Sequence, residues 1–82
     1  MRVERVTANE AIFTLLANRG PGKTICPSEA ARLLDPADWR GRMDEVRGAV
    51  AALANSGELA VTQRGEIVDP RAAKGPIRLR LP

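Results

Sequence analysis

The sequence predicts an α+β fold, mainly helical, and three observations predict it. Residues 42–55 repeat apolar side chains at helical spacing and end at Asn55-Ser56-Gly57, a helix-stopping signal. Residues 58–63 and 77–81 alternate apolar and polar side chains, as half-buried strands do. Between those strands lies a Gly- and Pro-marked loop, residues 64–76, that carries Arg64, Arg71 and Lys74. Helix, strand, basic loop, strand is the order of a winged helix-turn-helix. The expected architecture is therefore three helices with a small antiparallel sheet, the β-wing.

Each element has its own local cause. Residues 1–6 read as a short lead-in, and residues 7–82 as one domain. Thr7-Ala8-Asn9-Glu10 is a capping box, in which Thr7 caps the helix start and Glu10 reaches back to it. Helix 1 should then run over residues 8–18, with Ala8, Ile12, Leu15 and Leu16 on one face. Gly20-Pro21-Gly22 stops it. Residues 23–25 should be extended, as the first small strand. Cys26-Pro27-Ser28-Glu29 opens helix 2, with Pro27 at the first helical position and Cys26 at the cap. Helix 2 covers residues 27–34, with Ala30, Leu33 and Leu34 facing inward. Asp35-Pro36-Ala37-Asp38 opens a short turn around Trp39, which packs over helices 2 and 3, and Arg40-Gly41 breaks that turn. Helix 3 covers residues 42–55, with Met43, Val46, Val50, Leu53 and Ala54 as its buried stripe. In the strands, Leu59 and Val61 face inward opposite Ala60 and Thr62. Ile77, Leu79 and Leu81 do so opposite Arg78 and Arg80.

Composition narrows the function classes. With 82 residues and only Phe13 and Trp39 as aromatics, the core must be small and built from Ala, Val, Leu and Ile. A chain of this size buries roughly 60–65% of its extended surface. One cysteine cannot form an internal disulfide, which fits a reducing cytoplasm. No apolar run is long enough to span a bilayer, so no membrane partner is expected. Histidine is absent, which removes His-based catalysis and His metal sites. The net charge is +3, and eleven of the 13 basic residues are Arg, the side chain that grips phosphate or carboxylate bidentately. The plain reading of that surplus is a solvated Arg-rich surface.

The blocks Gly20-Pro21-Gly22-Lys23-Thr24-Ile25-Cys26-Pro27-Ser28-Glu29, Trp39-Arg40 with Met43, Val46 and Arg47, Val61-Thr62-Gln63 with Gly65, and residues 75–81 closely resemble a family of small bacterial proteins. That family is a domain of unknown function with a winged-helix-like fold. The resemblance covers about residues 8–82. It implies the fold and a bacterial origin, and it brings no activity, cofactor or catalytic residue.

Three motifs suggest chemistry, and each has a structural explanation. Residues 17–24 match a loose phosphate-binding loop, but such a loop needs a strand before it and a helix directly after it. Here a helix precedes and Ile25-Cys26-Pro27 follows, so a helix-ending turn with a solvated Lys23 accounts for the pattern. Cys26 is the one soft nucleophile, yet no His is present to activate it. Asp35 and Asp38 are explained by helix capping. No nucleophile–base pair can be assembled, so neither an enzyme nor a small-molecule cofactor is expected.

Binding remains. In a helix-turn-helix, helix 3 enters the major groove. Its exposed positions should be Asp44, Arg47, Gly48, Ala51, Ala52 and Asn55, preceded by Arg40 and Arg42. Arg47 and Asn55 suit guanine and adenine edges. Gly48, Ala51 and Ala52 have almost no hydrogen-bonding reach, and Asp44 and Glu45 repel phosphates. The wing supplies Arg64, Arg71, Lys74, Arg78 and Arg80. Five engaged phosphates would give a log–log salt slope of about −4 to −5. Alternatively, Arg78 and Arg80 pair with Glu58 and Glu66 on the sheet. Two partners follow from this surface. One is DNA, held by the wing and helix 3 with weak sequence preference. The other is a protein or a second copy, docked on the Ala-rich face of helix 3.

Overall fold

The computed structural model describes residues 6–82, so the expected lead-in falls almost wholly outside the described residues. The elements run α1 (Ala8–Arg19), α2 (Pro27–Leu34), a 3-10 turn (Trp39–Arg42), α3 (Met43–Asn55), β1 (Ala60–Gln63), β2 (Glu66–Ile67) and β3 (Arg78–Arg80). Three helices and a three-stranded antiparallel sheet in the order β2-β1-β3 make a winged-helix-like arrangement.

The helix ends follow their sequence signals. Glu10 N–H donates to Thr7 Oγ1 at 3.1 Å and Thr7 N–H donates to Glu10 Oε1 at 2.8 Å, closing the capping box. Cys26 N–H donates to Glu29 Oε2 at 2.8 Å at the start of α2. Asp35 Oδ1 accepts from the amides of Ala37 and Asp38 at 3.1 and 3.0 Å, an Asx turn. The turn that follows does not break at Arg40-Gly41. It runs through Arg42 straight into α3. At the far end of α3, Glu58 N–H reaches Leu53 O and Gly57 N–H reaches Ala54 O, at 3.0 and 3.2 Å. This is a Schellman motif, and Gly57 takes the positive φ of 81° that it requires.

The core is aliphatic throughout. Ile12 and Leu16 of α1, Val46 and Val50 of α3, and Ile25, Val61 and Leu79 of the extended segments are fully buried. Ile25 bridges Leu79 through two backbone hydrogen bonds of 2.9 and 2.8 Å. The expected first strand is thus a single bridge residue on the outer side of β3. Small residues decide how closely the helices pack: Ala8, Ala11, Ala30 and Ala31 are all buried. Leu33 was expected to face inward, but it is 43% exposed and Ala31 takes its place.

The sheet departs from the expected alternation. Leu59, Ala60, Val61 and Thr62 are all buried, so Ala60 and Thr62 do not face solvent. β1 is the central strand: Val61 pairs with Leu79 on one side, and Thr62 pairs with Ile67 on the other. It is therefore covered on both faces and both edges. The first strand begins at Ala60, not Glu58, because Glu58 belongs to the helix cap.

Candidate nucleic-acid interface

The wing has internal structure that its sequence did not announce. Arg64 and Gly65 take φ values of 54° and 83°, forming a two-residue turn of the type that suits a tight hairpin. That turn creates β2, which was expected to be loop. Beyond it, Asp69 organises a second turn. Its carbonyl accepts from Ala72 and Ala73 at 3.0 and 2.9 Å, and its Oδ1 accepts from Arg71 N–H at 2.9 Å. The Gln63 side chain then ties the loop back to β1, its Nε2 donating to the carbonyls of Lys74 and Pro76. These bonds hold residues 70–77 alongside α3.

A groove of about 630 Å³ lies between this loop and α3. Arg47, Gly48 and Ala51 line it from the helix, and Arg71, Ala73 and Ile77 line it from the wing. Ala51 is accordingly half-buried, not exposed as the sequence suggested, while Ala52 stays in solvent. A second groove, about 550 Å³, borders Asn55 and again Arg71. Arg47, Asn55 and Arg71 are therefore brought onto neighbouring surfaces.

The expected basic residues divide into three groups. Arg64, Arg71 and Lys74 are exposed on the wing, and none has a carboxylate partner among the described residues. Arg47 makes one loose contact, 3.6 Å to a fully exposed Asp44, and exposed pairs of this kind contribute little. Arg42, Arg40 and Arg78 are each engaged by a neighbouring side chain. Arg42 forms a fork with Glu45 at 2.8 and 3.2 Å, which raises its pKa above the ordinary guanidinium value. Arg40 lies 4.4 Å from the centre of the Trp39 ring. Arg78 donates from Nε to Thr24 Oγ1 at 2.9 Å, from Nη2 to Thr24 O at 3.2 Å, and from Nη1 to Cys26 Sγ. Arg78 was expected on the outer face of the sheet, and it is instead half-buried against the start of α2. Arg80 is also half-buried, and its Nη1 donates to Leu81 O at 3.2 Å. Neither pairs with Glu58 or Glu66 among the described residues. Glu58 instead accepts from Ser56 Oγ at 2.7 Å.

Sequence reasoning passed over Arg32. Its guanidinium lies 4.5 Å from the Trp39 ring centre, so two Arg side chains stack on the one Trp. The signal was a lone Trp with basic residues near it on both sides. The Gly20–Lys23 turn ends α1 and is followed by the Ile25 bridge and not by a helix. Arg19 closes it, donating from Nη1 to Thr24 O at 2.9 Å and from Nη2 to Glu29 Oε1. Burial pushes the Glu29 carboxyl up. The Cys26 amide and the charges of Arg19 and Arg78 outweigh that, leaving it below its ordinary value.

A family model described as "Protein of unknown function (DUF3253)" matches residues 5–82. The chain belongs to the DUF3253 family. The match spans α1 through β3, so the wing and its basic loop are part of the family domain. Comparison with curated proteins gives no match. No helix among the described residues is long and apolar enough to cross a membrane.

Proposed function

We propose that this DUF3253 domain is a non-catalytic nucleic-acid-binding module. It grips the backbone of duplex DNA through its wing and α3, with weak sequence preference. One observation carries the reading: Arg71 and Lys74, on a loop held beside α3, and Arg64, at the tip of the β1–β2 turn, are exposed and free of carboxylate partners among the described residues. Unpaired Arg and Lys on a winged element suit phosphate contacts, which position a duplex without reading it. Arg47 and Asn55 are the residues of α3 with reach toward base edges. Gly48 and Ala52 offer none, which is why the preference is weak. Asp44 and Glu45 keep the first turn of α3 away from phosphates.

The test is fluorescence anisotropy with a labelled random-sequence duplex at several salt concentrations. Micromolar binding with a steep negative salt slope is expected. The triple variant R64E/R71E/K74E should lose binding while keeping the circular dichroism spectrum of the parent. Unchanged affinity in that variant, or no binding by the parent at low salt, overturns the reading.

The exposed edge of α3 favours a second reading. Gly48 has open space where a Cβ would stand, and Ala52 is exposed, so another protein helix or a second copy could pack closely there. Ala52→Glu would then break an assembly seen by light scattering. A strictly monomeric parent that captures no partner counts against it.

A further inference from the structure

We infer that the groove between α3 and the wing binds a small amphipathic anion, a carboxylate carried on a flat apolar body. The groove's volume, about 630 Å³, falls within the range of small-molecule sites. Met43, Val50 and Ala51 of α3 give it one apolar wall, and Ala73 and Ile77 of the wing loop give it the other. Charge of only one sign lines it. Arg47 and Arg71 border the groove, and no described Asp or Glu does.

Neither cation is tightly held. Arg71 has no carboxylate partner, and Arg47 has only the loose Asp44 contact. The Cys26 sulfur at one end already accepts from Arg78. Ser28 lines the same end, and its hydroxyl has no intramolecular hydrogen bond among the described residues. An apolar anion matches this set of groups. Its body displaces water from the aliphatic walls. Its carboxylate takes a charge-assisted, bidentate contact from a guanidinium at the rim. A neutral apolar molecule would use the walls alone, and an inorganic anion would use the rim alone.

The experiment is a titration of ¹⁵N-labelled protein with 2-naphthoate, and with 2-naphthol as the neutral counterpart. 2-Naphthoate should shift the amides of Gly48, Ala51, Gly75 and Ile77 saturably, with affinity about tenfold above that of 2-naphthol. Arg71→Gln and Arg47→Gln should each lower naphthoate affinity about three- to tenfold and leave naphthol binding unchanged. Gly48 lines the groove and nothing stands within 4 Å of an added Cβ there, so the helix tolerates Gly48→Leu and the new side chain takes up room at the groove wall. That variant should keep a dispersed amide spectrum and lose naphthoate binding. No saturable shift at millimolar naphthoate overturns the inference. So does equal affinity for naphthol, or undiminished binding to the Gly48→Leu variant.

Discussion

Arg78 Nε donates to Thr24 Oγ1 at 2.9 Å, across 54 residues of chain. With the bonds from the same guanidinium to Thr24 O and Cys26 Sγ, this fastens β3 to the segment that leads into α2. Ile25 sits between those two anchors and forms the backbone bridge to Leu79. The last strand is thus held to the helical layer by two devices, one of side chain and one of backbone.

Arg78→Ala should therefore act on stability. A half-buried guanidinium with three acceptors is worth about 2 kcal/mol, or about 8–16 °C in Tm for a domain of this size. Arg80→Ala, two residues away, should stay within about 0.5 kcal/mol. Arg78→Lys should not restore the loss, because an ammonium cannot span the three acceptors. Thermal melts followed by circular dichroism measure all three. Equal melting temperatures for the Arg78 and Arg80 variants would refute the anchoring role.

The same substitution should have opposite signs at the glycine inside α3 and at the glycine that follows its end. Gly48 lies inside α3, exposed, with open space where a Cβ would stand. Gly48→Ala should stabilise by about 0.8–1 kcal/mol through helix propensity. Gly57 ends α3 at φ 81°, so Gly57→Ala should destabilise by about 1–2 kcal/mol. Urea denaturation of both variants checks the pair, and a shared sign would contradict the cap geometry.

The helices were legible because their signals are local. Thr7 with Glu10, Cys26-Pro27 with Glu29, and Asn55-Ser56-Gly57 each settle an end within four residues. The wing was legible as two strands around a basic loop, but its internal structure was not, for physical reasons. Arg64-Gly65 makes a tight hairpin although Arg seldom adopts positive φ, so the Asn-Gly or Asp-Gly signal was missing. The role of Gln63 depends on carbonyls eleven and thirteen residues away. Arg78 was read as solvent-facing from strand alternation alone. Alternation says which face a side chain is on, but not that Thr24 and Cys26 stand opposite that face. Of the candidate site, Arg47, Arg64, Arg71 and Lys74 keep the exposure that the sequence implied. Arg40, Arg42 and Arg78 lose their freedom to neighbours that no spacing rule reveals.

Glu29 predicts how stability changes in acid. Its folded carboxyl titrates below the ordinary value of 4.5, through the balance of burial against Cys26, Arg19 and Arg78. A depressed carboxyl stabilises the fold fully above the unfolded pKa and loses that contribution as pH falls through the folded one. The parent's Tm should hold above about pH 5 and fall below about pH 4.5. Glu29→Gln should melt lower at neutral pH and show a shallower decline in acid. Parallel pH profiles for the two proteins would remove Glu29 from the account.

On the proposed nucleic-acid reading, the salt dependence of duplex binding should count the available cations and not all the basic residues of the wing. Arg47, Arg64, Arg71 and Lys74 are available for phosphates, and Arg78 is engaged with Thr24 and Cys26. Four contacts give a log–log slope of about −3.6, and each contact removed should lower its magnitude by about 0.9. Arg71→Gln should thus show a slope near −2.7, with affinity reduced on every sequence tested. Arg78→Gln should keep the parental slope when binding is measured well below its melting temperature. Arg42→Gln should do the same, since its guanidinium serves Glu45. A slope that falls equally in the Arg71 and Arg78 variants would place the duplex against β3 rather than the wing loop, and would require a different docking face.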